Sequence, residues 1–350
     1  MDKIPVAVLG ATGAVGQRFV QLLADHPWFE ISALTGSERT AGGIYQDVCR
    51  WVLDEDIPAS IAEMKVSATG DSLPARILFS ALPARVARQV EPGLAGAGYI
   101  VCSNASAFRQ EPDVPLIIPE VNADHLDLLR LQRNERGWQG LLVTSPNCTA
   151  TGLVMPLKPL DDAFGVAQVF VTTLQAVSGA GYPGVPYLDI DGNIIPNIPG
   201  EAEKIQDETR LLLGRIDAGQ RVPGEMQLSV QTNRVPVIDG HTVNMKIKFD
   251  RPPTPEEAVE VLSDFRGPHP VPGLPSAPSA PVLVRNEPNR PQPRRDRGAS
   301  AGMSVTVGSI QYCPILDLRM ISVVHNTLRG AASGSILNAE LLVAEGYAKE

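Results

Sequence analysis

Cysteine is scarce in this 350-residue chain: Cys49, Cys102, Cys148 and Cys313 are scattered, with no C-x-x-C pair and no metal-type cluster. That pattern argues against a disulfide framework and a structural zinc site, and no metal is expected. It suits free thiols in a reducing compartment, so the expected location is the cytoplasm. No apolar stretch reaches the roughly 20 residues that a bilayer-spanning helix needs. The opening MDKIPVAVLGATG runs straight into a strand pattern, so no secretory or transit segment is expected. Basic residues are outnumbered, giving a formal net charge of -9, which offers no footprint for nucleic acid or an anionic membrane. The remaining composition, 43% hydrophobic and 20% charged, is that of a globular protein long enough for two domains.

The first half alternates strand and helix patterns. Val6–Leu9 is a short apolar run ending in a glycine-rich turn, followed by the helix-like QRFVQLLADHP, and Ile31–Thr35 forms a second strand pattern. Further strand patterns lie at 77–81, 99–102 and 141–144, with a helical stretch over 84–97. This alternation implies a largely parallel sheet covered on both faces, a doubly wound nucleotide-binding domain. After Cys148 long strands are expected at 168–175, 227–235 and 243–249 with fewer helices between them, which suggests an antiparallel or mixed sheet. The proline-rich stretch 252–298 reads as a mostly irregular surface excursion with a helix at 255–265. Its Arg294, Arg295 and Arg297 read as solvated. An amphipathic helix following Asn326–Gly330 closes the chain.

Two local patterns carry chemistry. Gly10, Gly13 and Gly16 fall between a strand and a helix, where glycines permit a tight turn and close approach of a phosphate to helix N-terminal N–H groups. An NAD enzyme usually places a carboxylate after the second strand; here stand Ser37, Glu38 and Arg39. A guanidinium with a neighbouring hydroxyl suits a 2′-phosphate, so NADP is favoured over NAD although Glu38 is also present. Cys148 lies in Ser145-Pro-Asn-Cys-Thr, just beyond a strand where a helix should open. A helix N-terminus lowers a thiol pKa and offers N–H groups to an oxyanion. Inert burial is the default for the other three cysteines. A nucleophilic thiol needs a proton-handling partner. His241, after a turn glycine and between strands, and His325, beside the turn at Asn326, both qualify, and the residues alone leave the choice open.

Gly10–Gly16, Ser103–Arg109, Pro119–Asn122, Ser145–Thr149, Gln175–Gly181, Gly200–Ile205 and Arg234–His241 together resemble the aspartate-β-semialdehyde dehydrogenase family, in particular its archaeal and fungal branch. The resemblance covers nearly the whole chain and is weakest over the proline-rich stretch. It implies an α/β fold class: a Rossmann-type NADP-binding domain over 1–147, to which a C-terminal helix within 326–350 returns, and an α+β catalytic and dimerisation domain with a mixed sheet over 148–325. It implies Cys148 as nucleophile, His241 as acid/base and Gln175 orienting the acyl group. Arg234 would pair with the substrate α-carboxylate and Glu201 with its ammonium, while Arg109 and Lys204 would receive phosphate. The cofactor would lie against Gly10, Thr12, Gly13, Ala14, Val15 and Gly16, with Ser37, Arg39, Ser178, Gly179 and Asn326 completing its site.

The implied reaction is NADPH-dependent reductive dephosphorylation of β-aspartyl phosphate to aspartate semialdehyde through a Cys148 thioester, in lysine, threonine and methionine biosynthesis. A homodimer or homotetramer is implied, with the second domain's sheet as its interface. Each role has a bland rival: a surface Glu201–Lys204 pair at i and i+3, a loop charge at Arg109 beside Glu111 and Asp113, or a strand cap at Gln175. Malonyl-CoA reductase is an alternative on the same scaffold, and a non-catalytic NADP-sensing binding protein is one from another class. N-acetylglutamyl-phosphate reductase and glyceraldehyde-3-phosphate dehydrogenase match the local motifs less well.

Overall fold

The computed structural model describes residues 2–348, and the first strands form on runs that are mostly apolar and buried, such as Val6–Leu9 and Ala33–Gly36. β1 (Ile4–Leu9), β2 (Phe29–Gly36), β3 (Val66–Ala68), β4 (Ile77–Ser80), β5 (Ile100–Ser103) and β6 (Leu141–Thr144) make one sheet in the order β3-β2-β1-β4-β5-β6. Every pairing in it is parallel. All four residues of β4, β5 and β6 are buried, as expected of strands covered on both faces. This is the doubly wound order whose strand ends form a nucleotide crevice.

The helix Ala14–Leu23 buries Gly16, Phe19, Val20 and Leu23, a stripe at helical spacing, with the Phe19 ring 5.1 Å from that of Phe79. Each such ring contributes about 1.5–3 kcal/mol by leaving water. Phe29 and Phe79 extend the cluster edge to face. These elements belong to a compact unit comprising Met1–Ile117, Asp124–Ser145 and Ala331–Glu350. Its last segment carries the helix Ala332–Ala344, fastened by a buried His26 Nε2–Glu340 Oε1 contact of 2.8 Å and by Asn338 Nδ2 donating to Ser145 Oγ at 3.1 Å.

The second unit comprises Ile118–Ala123 and Pro146–Gly330. Its strands are β7 (Val166–Gln175), β8 (Ile195–Pro196), β9 (Arg215–Asp217), β10 (Gln220–Val222), β11 (Gln227–Arg234), β12 (His241–Phe249), β13 (Val282–Arg285), β14 (Val305–Tyr312) and β15 (Leu318–Val324). Seven of them form a mixed sheet, β13-β14-β15-β12-β7-β11-β8, while β9 and β10 form a separate antiparallel pair. The helix Cys148–Phe164 packs on this sheet, with Gly152 so close that an added Cβ would lie 2.6 Å from Val324 Cγ1. Among the described residues no helix is long and apolar enough to cross a membrane.

Three expectations differ from the structure. The spans 1–147 and 326–350 include Met1, Lys349 and Glu350, outside the described residues; elsewhere the compact units divide differently. Pro146, Asn147 and the 326–330 turn go with the second unit, because Asn147 caps its helix and Asn326 Oδ1 accepts from Gly240 N–H at 2.8 Å. The proline-rich stretch is more ordered than expected. Beyond the capping-box helix Pro255–Asp264, Val282–Arg285 adds an edge strand parallel to β14, since its Val-Leu-Val run contains no proline and sits at the sheet edge, where the flanking Pro281 and Pro288 are tolerated. Arg297 is not merely solvated: Nη1 donates to the Asp239 carbonyl at 3.2 Å, bracing the loop before His241, whereas Arg294 and Arg295 are exposed.

Candidate active site

Strand direction assembles the site. β7 and β11 run parallel with Gln175 opposite Arg234 at their last positions. β12 is antiparallel to β7, with Thr242 opposite Leu174, so its first residue, His241, falls at the same end of the sheet. The helix that begins at Cys148 delivers the sulfur there. Cys148 Sγ and His241 Nε2 are 3.2 Å apart. His325 is buried within the same unit, and its charge disfavours protonation of His241.

The other ring nitrogen of His241 is committed. The Ala176 backbone N–H donates to Nδ1 at 3.1 Å, so in the neutral ring the proton sits on Nε2, facing the sulfur. An imidazolium would bring two N–H donors against each other at Nδ1. Burial, with the charges of Arg234 and His325, holds the His241 pKa down to about 3.

The remaining side chains form one network. Arg234 Nη1 donates to the Ala176 carbonyl at 2.8 Å, and burial lowers the Arg234 pKa against the opposing pull of Glu201 and Cys148. Gly179 leaves room for both Arg234 and His241: a Cβ there would lie 2.7 Å from Arg234 Nη1 and 2.8 Å from His241 Cε1. Glu201 Oε1 accepts from Asn147 Nδ2 at 2.9 Å and from Gln175 Nε2 at 3.3 Å. Glu201 is therefore turned into this cluster and away from a pairing with Lys204, which is exposed on the same helix. Gln175 is buried and also reaches Thr173 Oγ1, so it does more than end a strand. Asn326 Nδ2 donates to Ser178 Oγ at 2.8 Å.

Asn147 and Glu208 belong to the site and had no role in the sequence reading, while Gly330, in the glycine turn after Asn326 expected on the nicotinamide side of the cofactor, lies beside Cys148. Asn147 Oδ1 accepts from the N–H groups of Thr149 and Ala150, capping the Cys148 helix, and the Asn147 N–H donates to Glu208 Oε2 at 2.5 Å. The capping preference of asparagine directly before a helical run was an available signal. Gly330 lies against Cys148 itself: a Cβ there would fall 2.5 Å from Cys148 Cβ and 2.8 Å from its Cα.

The first unit carries the expected cofactor turn. Gly10 has φ +73, a left-handed conformation suited to glycine, and a Cβ on Gly16 would fall 2.2 Å from the Gly10 carbonyl oxygen. Gly13 precedes the Ala14–Leu23 helix with no side-chain cap, so Ala14 and Val15 open a first turn whose N–H groups are not taken by a capping side chain. Gln17 secures Thr12 through its carbonyl at 3.0 Å. Ser37, Glu38 and Arg39 are exposed directly after β2. These features fit a dinucleotide. Arg109 is buried in this unit, with Nη2 donating to the Asn104 carbonyl, while Glu111 and Asp113 pair with Arg136. Among the described residues no group of three or more His, Cys, Asp or Glu could hold a metal ion.

Comparison with known proteins agrees with this layout. Family models described as semialdehyde dehydrogenase, NAD binding domain, and semialdehyde dehydrogenase, dimerisation domain, match residues 5–129 and 157–329. An aspartate-semialdehyde dehydrogenase from Methanothermobacter thermautotrophicus is 51% identical over 346 residues, covering 97% of this chain and 99% of that relative. One from Archaeoglobus fulgidus is 48% identical over 98% of this chain and 99% of its own. The chain belongs to the aspartate-semialdehyde dehydrogenase family. The crystal structure of the Candida albicans aspartate-semialdehyde dehydrogenase with NADP superposes with a TM-score of 0.91 at 40% identity, covering 99% of this chain and 100% of that one. Membership makes the chain an oxidoreductase with an NAD(P)-binding domain and gives no support to a malonyl-CoA reductase or a non-catalytic sensor.

Proposed function

We propose that the chain reduces β-aspartyl phosphate to aspartate semialdehyde with NADPH, through a thioester on Cys148. The observation that carries this mechanism is the 3.2 Å contact between Cys148 Sγ and His241 Nε2 at the start of a helix. The sulfur reacts as a thiolate, which the Nε2–H of His241 and the first helical turn favour. It attacks the acyl carbon; the C–S bond forms as the C–O bond to phosphate breaks, and phosphate takes a proton from solvent. Bound NADPH supplies the hydride that brings the acyl carbon to the aldehyde oxidation level. The C–S bond then breaks and the electron pair returns to sulfur.

His241 needs to give up no proton in this scheme. Its Nε2–H, freed when the sulfur is acylated, turns to the acyl oxygen and stabilises the negative charge that develops there. The acid/base role implied by the family resemblance thus becomes, with this tautomer, a donor role. Arg234 offers a planar fork to the α-carboxylate, and Glu201 offers its charge to the ammonium. Gln175 orients the acyl group, while Arg109 and Lys204 serve the departing phosphate. Gly10, Thr12, Gly13, Ala14, Val15 and Gly16 would cradle the cofactor pyrophosphate, Ser37 and Arg39 the 2′-phosphate, and Ser178, Gly179 and Asn326 the nicotinamide side. The working form is a cytoplasmic homodimer joined through the mixed sheet of the second unit.

The deciding experiment is Cys148→Ala. Turnover of β-aspartyl phosphate should fall to background while NADP binding is retained; full turnover in this variant would overturn the mechanism.

A further inference from the structure

We infer that Arg329 and Glu120 are positioning residues that hold the 326–330 turn, and with it the Cys148–His241 geometry, in register. The inference rests on the reading of Cys148 as nucleophile. It starts from a pair the mechanism does not use. Arg329 Nη1 and Nη2 donate to Glu120 Oε1 and Oε2 at 2.8 and 2.6 Å, and both side chains are 1% exposed. Arg329 Nη2 also reaches Met155 Sδ at 3.3 Å, on the helix that Cys148 begins.

The turn that Arg329 sits in touches Cys148 and the residue before His241. At one end, Asn326 Oδ1 accepts from the N–H of Gly240, the residue before His241, and Asn326 Nδ2 binds Ser178 Oγ beside Gly179. At the other, Gly330 packs its Cα against Cys148, and its N–H closes the turn on the His325 carbonyl at 3.0 Å. A five-residue turn with one end on Cys148 and the other on the neighbour of His241 needs an anchor of its own, and the bidentate pair supplies it. Glu120 is fixed from behind by Gly267, where a Cβ would fall 2.8 Å from Glu120 Cα.

A buried ion pair is a poor way to gain stability, because desolvation offsets its attraction, and a matched apolar replacement is often neutral. What the pair adds is direction: two parallel hydrogen bonds fix the guanidinium plane, and so the backbone on either side of residue 329. A displacement of about 1 Å at reacting atoms is enough to cost on the order of 100-fold in rate.

The test compares Arg329→Lys with the double variant Glu120→Gln/Arg329→Met, which removes both charges together. Melting temperature, kcat, KM for β-aspartyl phosphate and NADPH, and the rate of Cys148 carbamidomethylation by iodoacetamide at pH 7 are measured on NADP-loaded protein. Alkylation is followed on the Cys148 peptide by mass spectrometry, since Cys313 is also partly accessible. The double variant should keep both KM values within about threefold, lose about 10- to 100-fold in kcat, and alkylate at Cys148 several-fold more slowly. Wild-type kcat and alkylation in a folded double variant would overturn the inference. If the double variant does not fold, Arg329→Lys decides alone: it keeps the charge and loses the fork, so kcat should fall at least fivefold at unchanged KM, and a wild-type kcat would overturn the inference. Loss of turnover in Cys148→Ala together with unimpaired Arg329 variants would remove this inference and leave the proposed mechanism standing. Turnover in Cys148→Ala would remove the mechanism itself.

Discussion

The backbone N–H of Ala176 donates to Nδ1 of His241 at 3.1 Å, and this one bond decides which ring nitrogen carries hydrogen toward Cys148. It makes His241 a fixed donor that stays neutral. His241→Gln, which retains a terminal N–H donor, should therefore keep at least tenfold more kcat than His241→Ala, since one oxyanion donor is worth roughly 100-fold or more in rate. Equal, near-complete inactivity in the two variants would point to proton transfer instead. Steady-state kinetics with β-aspartyl phosphate separates these outcomes.

The same buried ring sets a stability window. Its folded-state pKa of about 3 lies below the ordinary 6.5, so below pH 6.5 the unfolded chain binds a proton that the folded chain refuses. Stability contributed by this group is complete above pH 6.5 and falls as the pH drops toward 3, with a limiting slope of about 1.4 kcal/mol per pH unit. Urea unfolding of the wild type and of His241→Gln at several pH values between 4 and 7.5 should show the wild type losing more stability on acidification. Parallel losses would contradict the burial argument.

Gly179 is small because the Arg234 and His241 side chains occupy the space a methyl would take. Gly179→Ala should lower kcat by about 100-fold, because Arg234 and His241 must both shift. Its φ is not in the left-handed region, so the backbone tolerates alanine and the melting temperature should change by only a few degrees. A variant with wild-type kcat would show that the pocket relaxes without consequence.

Asn147 combines capping with charge management. Asn147→Ala loses the helix cap and should cost about 1 kcal/mol of stability. Asn147→Asp keeps an acceptor for the Thr149 and Ala150 N–H groups, yet sets a second carboxylate where Nδ2 donates to Glu201. The aspartate variant should thus be near wild type in chemical denaturation and worse than alanine in kcat. The reverse ranking in activity would show that capping, not the link to Glu201, is what catalysis requires.

Cofactor choice is tested at Arg39. Loss of a charged hydrogen bond to a 2′-phosphate removes roughly 1.5–3 kcal/mol, so Arg39→Ala should raise KM for NADPH by about tenfold or more and leave KM for NADH nearly unchanged. An equal effect on both cofactors would assign discrimination elsewhere, Ser37 and Glu38 being the neighbouring exposed groups.

Much of the first unit was legible because its strands are continuous apolar runs: 77–81 and 141–144 were expected as strands and form β4 and β5's neighbour β6. The start of a helix at Cys148 was legible from the turn composition of Ser145-Pro-Asn-Cys-Thr. The choice between His241 and His325 was not, because it depends on β12 pairing antiparallel with β7, a contact between segments far apart in sequence. Nor was Gly330 beside Cys148, which a turn glycine does not announce. The strands β14 and β15 carry β-branched residues in Val305-Thr-Val and Ile321-Ser-Val-Val and were within reach; β13 was obscured by the prolines around it.

The parallel ladder between β7 and β11 has one more consequence. Backbone register sets Gln175 beside Arg234, and the chain connecting those two strands is tied to them at its start, through Ala176 and Gly179, and again through Glu201. Two carboxylates of that connection, Glu201 and Glu208, ride on one helix, the first against Gln175 and the second against the Asn147 N–H. Under the proposed function, an exchange at Glu201 alone would alter which head group is recognised while Arg234 and Gln175 keep their register. For anyone redirecting the scaffold to another acyl phosphate, the start of that helix, and not the turn at Ala176–Gly179, is the place to rewrite.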